Sequence, residues 1–98
     1  MQILTNENYK EIISKGKVIV DFWATWCGPC KMFKAAYEDL AAKEEYKDYV
    51  FCEADVDVCN VFAEELGISN VPTFVVFEDG KEVIRGNYNT LFEHLKGK

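Results

Sequence analysis

The chain has 98 residues, 49% of them hydrophobic and 14% aromatic, with a formal net charge of −6 from 17 acidic and 11 basic side chains. That composition is globular and allows one domain, residues 1–98, which can bury roughly 60–70% of its unfolded surface without disulfide staples. The acidic balance argues against a nucleic-acid surface, and no stretch approaches the roughly 20 apolar residues of a membrane-spanning helix.

Taken in chain order, the first residues Met1-Gln2-Ile3-Leu4-Thr5-Asn6-Glu7 carry neither an apolar leader nor an Arg-rich face. A cytoplasmic location with reduced thiols is therefore the expectation. Residues 2–4 read as a short edge strand. Residues 6–14 have helical spacing with Tyr9, Ile12 and Ile13 on one face and Gly16 as a stop. Residues 17–23 are apolar and β-branched, the pattern of a buried strand. A long helix is predicted from residue 30 to about 46, with Phe33, Ala36, Tyr37, Leu40 and Ala41 facing inward. Residues 49–56 read as a strand and 58–66 as a helix ended by Gly67. Residues 73–77 and 81–85 form a hairpin across Asp79-Gly80. Thr90 and Glu93 have capping-box spacing for a short last helix through Leu95. The first half predicts parallel strands joined by helices, and the hairpin adds antiparallel strands to the same sheet. The expected fold class is α/β, a central mixed sheet with helices on both faces.

Trp26-Cys27-Gly28-Pro29-Cys30 lies between the predicted buried strand and the long helix. Two residues between the cysteines let a tight turn place both sulfurs on one side, close enough to bridge. At a helix N-terminus, free N–H groups and the positive dipole end favour thiolate over thiol. A bare Cys-x-x-Cys is shared by zinc sites and many redox folds. Cys52 and Cys59 are spaced too widely to form a second zinc knuckle. No Gly-rich phosphate loop or metal-ligand cluster is present, so no cofactor and no metal are expected.

The run from Asp21 to Met32 containing that motif, then Val71-Pro72-Thr73-Phe74, Gly80 and Gly86, resembles the thioredoxin family at matching spacings over essentially the whole chain. The resemblance implies a thioredoxin fold and a general protein dithiol–disulfide oxidoreductase. Gly28-Pro29 between the cysteines goes with a reductant in related folds. The implied electron donor is an NADPH-linked flavoprotein thioredoxin reductase. The implied targets are disulfide-containing proteins such as peroxiredoxin, methionine sulfoxide reductase or ribonucleotide reductase, met by a monomer. A non-catalytic thioredoxin-like module that binds partners through the same rim is the alternative.

Within the motif, Cys27 is expected at the exposed mouth of the turn as nucleophile, and Cys30 a turn deeper as resolving thiol. Asp21 interrupts an apolar strand. It is either a polar edge residue or a carboxyl under the helical cover, and the resemblance implies a buried base for the Cys30 proton. The resemblance also makes the Val71–Pro72 bond cis, against the usual X-Pro preference, and leaves Val71 ready to pair with an extended substrate chain. Trp26, Gly28, Pro29, Val71, Pro72 and Gly86 would then form the substrate-binding rim. Trp26 has core filling as its bland reading, and Gly86 the relief of a strand end.

The chain departs from the family pattern at three places, one of them a last helix expected to be shorter than usual because the chain ends soon after Leu95. Ala35 stands where many members have a helix-kinking proline, which predicts a straighter helix. Glu53 stands where some members have a lysine near the buried carboxylate, a like charge that would raise the Asp21 pKa further. Cys52 reads as a strand-centre filler, Cys59 as the more reactive of the two extra thiols, and His94 as solvent-facing.

Overall fold

The computed structural model describes residues 1–97; Lys98, the last residue of the expected domain, lies outside them. The strand β2 (Lys17–Trp23) is the centre of the molecule, because its apolar run is buried on both faces. Its parity divides the core. Val18, Val20 and Phe22 point into one layer and Ile19 into the other. β3 (Tyr49–Asp55) pairs with β2 in parallel, and β4 (Thr73–Glu78) pairs with it antiparallel. β1 (Gln2–Ile3) and β5 (Lys81–Gly86) complete a five-stranded sheet in the order β1-β3-β2-β4-β5.

Two helices cover each face. α1 (Tyr9–Ile13) and α3 (Asn60–Leu66) bring Tyr9, Phe62 and Ala63 onto the Val18 side. There Tyr9 stacks on Phe62 with ring centroids 4.3 Å apart. α2 (Gly28–Ala41) and α4 (Tyr88–Lys96) supply Tyr37, Leu40, Leu91 and Leu95 to the Ile19 side. The Tyr37 hydroxyl faces two backbone carbonyls, Ile19 at 3.1 Å and Cys52 at 2.8 Å, so α2 is fastened across the β2–β3 seam. The mixed sheet with helices on both faces agrees with the sequence expectation. So does the hairpin turn, where Asp79 and Gly80 take φ of 51° and 85°, the two left-handed residues that a tight two-residue hairpin requires.

The boundaries differ from the sequence reading in instructive ways. The long helix ends at Ala41, and residues 44–46 form a separate 3₁₀ turn after Lys43 adopts an extended backbone. Good helix formers fill residues 42–47, but the buried Tyr46 anchors a return toward β3 that a continued helix could not make. α2 also starts earlier, at Gly28, and runs unbroken past the exposed Ala35. α1 is shorter than residues 6–14. The Thr5 N–H donates to Asn8 Oδ1 at 2.8 Å and the Asn8 N–H to Thr5 Oγ1 at 3.2 Å, which holds residues 6–8 as a turn. α3 starts at Asn60, two residues late, after Asp55 has accepted the N–H groups of Val58 and Cys59 on its carbonyl. Thr90 does not cap α4; Asn87 does, its Oδ1 accepting the Thr90 N–H at 2.9 Å. His94 is half-buried rather than solvent-facing, because α4 docks through Leu91 and Leu95 beside it. Cys59 is fully buried in the same cluster as Cys52, although it occupies a helix start.

Candidate active site

The dithiol sits where the C-terminal end of β2 feeds α2. Cys27 is the N-cap residue of α2, with extended backbone, and Pro29 occupies the first turn, where a missing N–H costs nothing. The two cysteines are bridged, with their Cα atoms 5.3 Å apart. The Cys30 N–H donates to the Cys27 sulfur at 3.1 Å. When the bridge is open, that N–H and the positive end of a 14-residue helix stabilise negative charge on Cys27.

The expectation of an exposed Cys27 and a deeper Cys30 needs correction. The residues are 3% and 4% exposed, so burial does not separate them. The sulfurs are covered by Trp23, Val56 and Val71, which pack on a small cluster of Ala24, Cys27 and Cys30. What distinguishes the two is their surroundings. Cys27 lies 3.7 Å from the Val71 carbonyl oxygen, at the bend entering β4. Cys30 lines a cavity of about 170 Å³ with Asp21, Trp23, Lys31, Lys34 and Glu53.

Asp21 is buried on the α2 side of the sheet, as parity with Ile19 demands. Its Oδ1 has no hydrogen-bond partner among the described residues. Loss of hydration and, next, the Glu53 carboxylate raise its pKa to about 7, with Lys34 opposing them. Glu53 is its register partner on β3, so the two acids share one face of adjacent strands. A carboxyl poised near neutrality beside the wall that carries Cys30 is suited to accept a thiol proton and return it to solvent.

The rim residues are arranged around this centre to different degrees. Trp26 is 69% exposed, not core filling, and its indole N–H donates to Asp57 Oδ2 at 2.9 Å. Gly28 and Pro29 are exposed, and Val71 and Pro72 are half-buried with a cis bond between them. Gly86 ends β5 opposite Phe74. A Cβ there would lie 2.6–2.7 Å from the Thr90 side chain, and that packing accounts for the glycine without reference to the dithiol. Sequence reasoning passed over Trp23, Val56, Asp57 and Lys34. Lys34 follows Cys30 by one helical turn, a spacing that signals a shared face; the Trp26–Asp57 pairing spans 31 residues and has no such signal.

A bridged pair at a helix start, backed by an acid-lined cavity in a mixed sheet, defines a dithiol–disulfide oxidoreductase. A family model described as Thioredoxin matches residues 1–96, and the chain belongs to the thioredoxin family. It is 44% identical over 85 residues to a thioredoxin of Chlamydia muridarum, covering 87% of this chain and 81% of that protein. The Malassezia sympodialis thioredoxin structure superposes with a TM-score of 0.90 at 31% identity, over 98% of this chain and 90% of that one. A structure concerned with the thiol resolving mechanism of a yeast mitochondrial 1-Cys peroxiredoxin, via glutathione and thioredoxin systems, matches with a TM-score of 0.88. Its identity is 32%, and the match covers 100% of this chain and 95% of that one.

Proposed function

We propose that this chain reduces protein disulfides, with Cys27 as nucleophile, Cys30 as resolving thiol and Asp21 as acceptor of the Cys30 proton. The observation that carries this reading is the asymmetry of the two sulfurs. Cys27 receives the Cys30 N–H at the helix start, and Cys30 shares its cavity with Asp21. In the reduced protein, Cys27 thiolate attacks a target disulfide and expels one target thiolate, leaving a mixed disulfide. Cys30 then gives its proton to the Asp21 carboxylate, and its sulfur attacks Cys27. The Cys27–target bond breaks, the second target thiolate leaves, and the Cys27–Cys30 bridge holds the two electrons' worth of oxidation. Asp21 returns its proton to water.

Trp26, Gly28, Pro29, Val71, Pro72 and Gly86 form the rim that receives the target, whose extended chain lies along Val71. The exposed Trp26 face and the closeness of the Val71 carbonyl to Cys27 support that placement. An NADPH-linked flavoprotein thioredoxin reductase restores the dithiol. The subject of the yeast structure supports peroxiredoxin as one target; methionine sulfoxide reductase and ribonucleotide reductase are others. The chain works as a cytoplasmic monomer without a bound cofactor. Insulin reduction, driven by dithiothreitol or coupled to reductase and NADPH, tests the reading. We expect acceleration of at least about tenfold over the reductant alone, lost in Cys27→Ser. No acceleration would mark the chain as a partner-binding module that does not turn over.

A further inference from the structure

α2 carries an apolar strip on its outer face, and the strip starts inside the rim. Met32 is 77% exposed, more than any other large apolar side chain among the described residues, although it stands within a 14-residue helix. A single exposed methionine is ordinary on a protein surface, but Met32 is not isolated. Gly28 precedes it by four residues and Ala35 follows it by three, both exposed, so the three lie along one side of the helix. The helix runs unbroken through all of them, which keeps the strip straight. It spans two turns, about 10 Å. Lys31 borders it, and the exposed Glu38 and Asp39 close its far end. An apolar centre with a charged frame is the anatomy of a contact surface.

The place of the strip in the fold says what covers it. Cys27 is the N-cap of the same helix, so Met32 lies five residues, or about 7.5 Å of helical rise, beyond the sulfur that a target is bonded to. An extended chain advances about 3.3 Å per residue, so a side chain one or two residues from the target's own cysteine reaches Met32. Nothing stands within 4 Å of the place where a Cβ on Gly28 would be, so the approach from the dithiol is open. An unbranched, polarisable thioether adapts to partners of different shape.

We propose that Met32 extends the target-binding rim onto α2 and selects protein disulfides that carry an apolar side chain one or two residues from the reacting cysteine. The proposal rests on the reading of this chain as a disulfide reductase whose targets are held at Cys27. The contact removes apolar surface of both partners from water and adds no polar group that must be desolvated. Met32 touches the target but neither reacting sulfur, so it sets which disulfides are reduced fastest and leaves the exchange chemistry as it is.

The probes are disulfide-linked dimers of the end-blocked pentapeptides Gly-Leu-Cys-Leu-Gly and Gly-Ser-Cys-Ser-Gly, whose symmetry makes the result independent of chain direction. Each rate of reduction by the reduced protein is divided by the rate with dithiothreitol, which removes intrinsic differences between the peptides. We expect wild type to prefer the Leu dimer by about threefold or more, the size expected of partly covering one methionine. Met32→Ser should lose that preference and Met32→Leu keep it, with hydroxyethyl disulfide reduced equally by all three. A wild type without the preference, or a preference that survives in Met32→Ser, would overturn the proposal and leave the reductase reading intact. A wild type that reduces none of these disulfides would overturn the reductase reading and the proposal with it. A footprint reads the contact itself. In Cys30→Ser protein, Cys27 attacks the Leu dimer, expels one peptide as thiolate and keeps the other as a mixed disulfide. Hydrogen peroxide then converts Met32 to its sulfoxide, with Met1, 52% exposed, as reference. Met32 should react about threefold more slowly than in the same protein capped by mercaptoethanol, and Met1 at an unchanged rate. Equal Met32 rates would show that the target leaves the strip uncovered, which overturns the proposal.

Discussion

The Trp26 indole N–H is bonded to the Asp57 carboxylate at 2.9 Å, so an exposed aromatic ring beside Cys27 is held by the loop that leads into α3. Fixing a large apolar face before a target arrives reduces the ordering cost of binding. Asp57→Ala should leave the ring free to rotate, seen as lower tryptophan anisotropy. Both partners are exposed, so stability should change by less than about 1 kcal/mol. The expected functional change is a roughly two- to fivefold loss in kcat/KM toward a protein disulfide, with unaltered reactivity toward a small disulfide. Unchanged anisotropy would show that the bond does not restrain the ring.

Asp21 separates stability from function. Its carboxyl moves from 3.8 to about 7 on folding, chiefly through burial and then through Glu53. A raised acid pKa means that the folded state resists ionisation. The penalty is absent below the unfolded pKa, grows as pH rises toward about 7, and is constant above it. Asp21→Asn should therefore match wild type near pH 3, roughly one unit below the unfolded pKa, and exceed it by about 1–3 kcal/mol at pH 8. Urea melts across that range measure the difference. A variant less stable at pH 8 would show that the carboxylate is stabilised in the fold.

Cys52 and Cys59 should behave alike. Burial raises the Cys52 thiol to about 12, and burial followed by the Glu7 charge raises Cys59 as well. In native reduced protein, iodoacetamide should label Cys27 first, with Cys52 and Cys59 modified only as the protein opens in denaturant. Mass spectrometry of a time course reads the order. Rapid native labelling of Cys59 would restore the sequence expectation that the structure has displaced.

Asn6 caps α3 from a distance. Its Oδ1 accepts the Val61 N–H at 3.1 Å, and its Nδ2 donates to Asn60 Oδ1 at 3.1 Å. Cys59, the residue at the cap position, provides no side-chain hydrogen bond there. Asn6→Ala should cost about 1 kcal/mol, visible as a lower denaturation midpoint with an unchanged m-value. No loss would mean that water replaces the cap at no cost.

The sheet was legible in the sequence because its central strand carries both signals at once: an apolar run, and one carboxylate placed at the parity of Ile19. The Cys-x-x-Cys was legible for the same kind of local reason, a strand running into a helix. Features set by tertiary closure were not. Cys27 reads as an exposed residue until Trp23, Val56 and Val71 are folded over it. Cys59 reads as accessible because a helix start usually is, yet the packing of Tyr9, Phe22 and Phe62 encloses it. The end of α2 was misread because propensity continues through residues 42–47 while the chain has to turn back for β3. Lys34 was readable from its spacing to Cys30, but a lysine on a helix is ordinarily a solvated one.

The division of labour between the two sulfurs is tested most directly by trapping. Cys27→Ser and Cys30→Ser variants, each reduced and passed through a lysate of oxidised proteins, are compared on non-reducing gels. Cys30→Ser should hold targets as mixed disulfides that dithiothreitol releases, because Cys27 still attacks and no resolving thiol follows. Cys27→Ser should hold almost none. Equal trapping by both, or trapping by Cys27→Ser alone, would contradict the assignment of Cys27 as the attacking thiol.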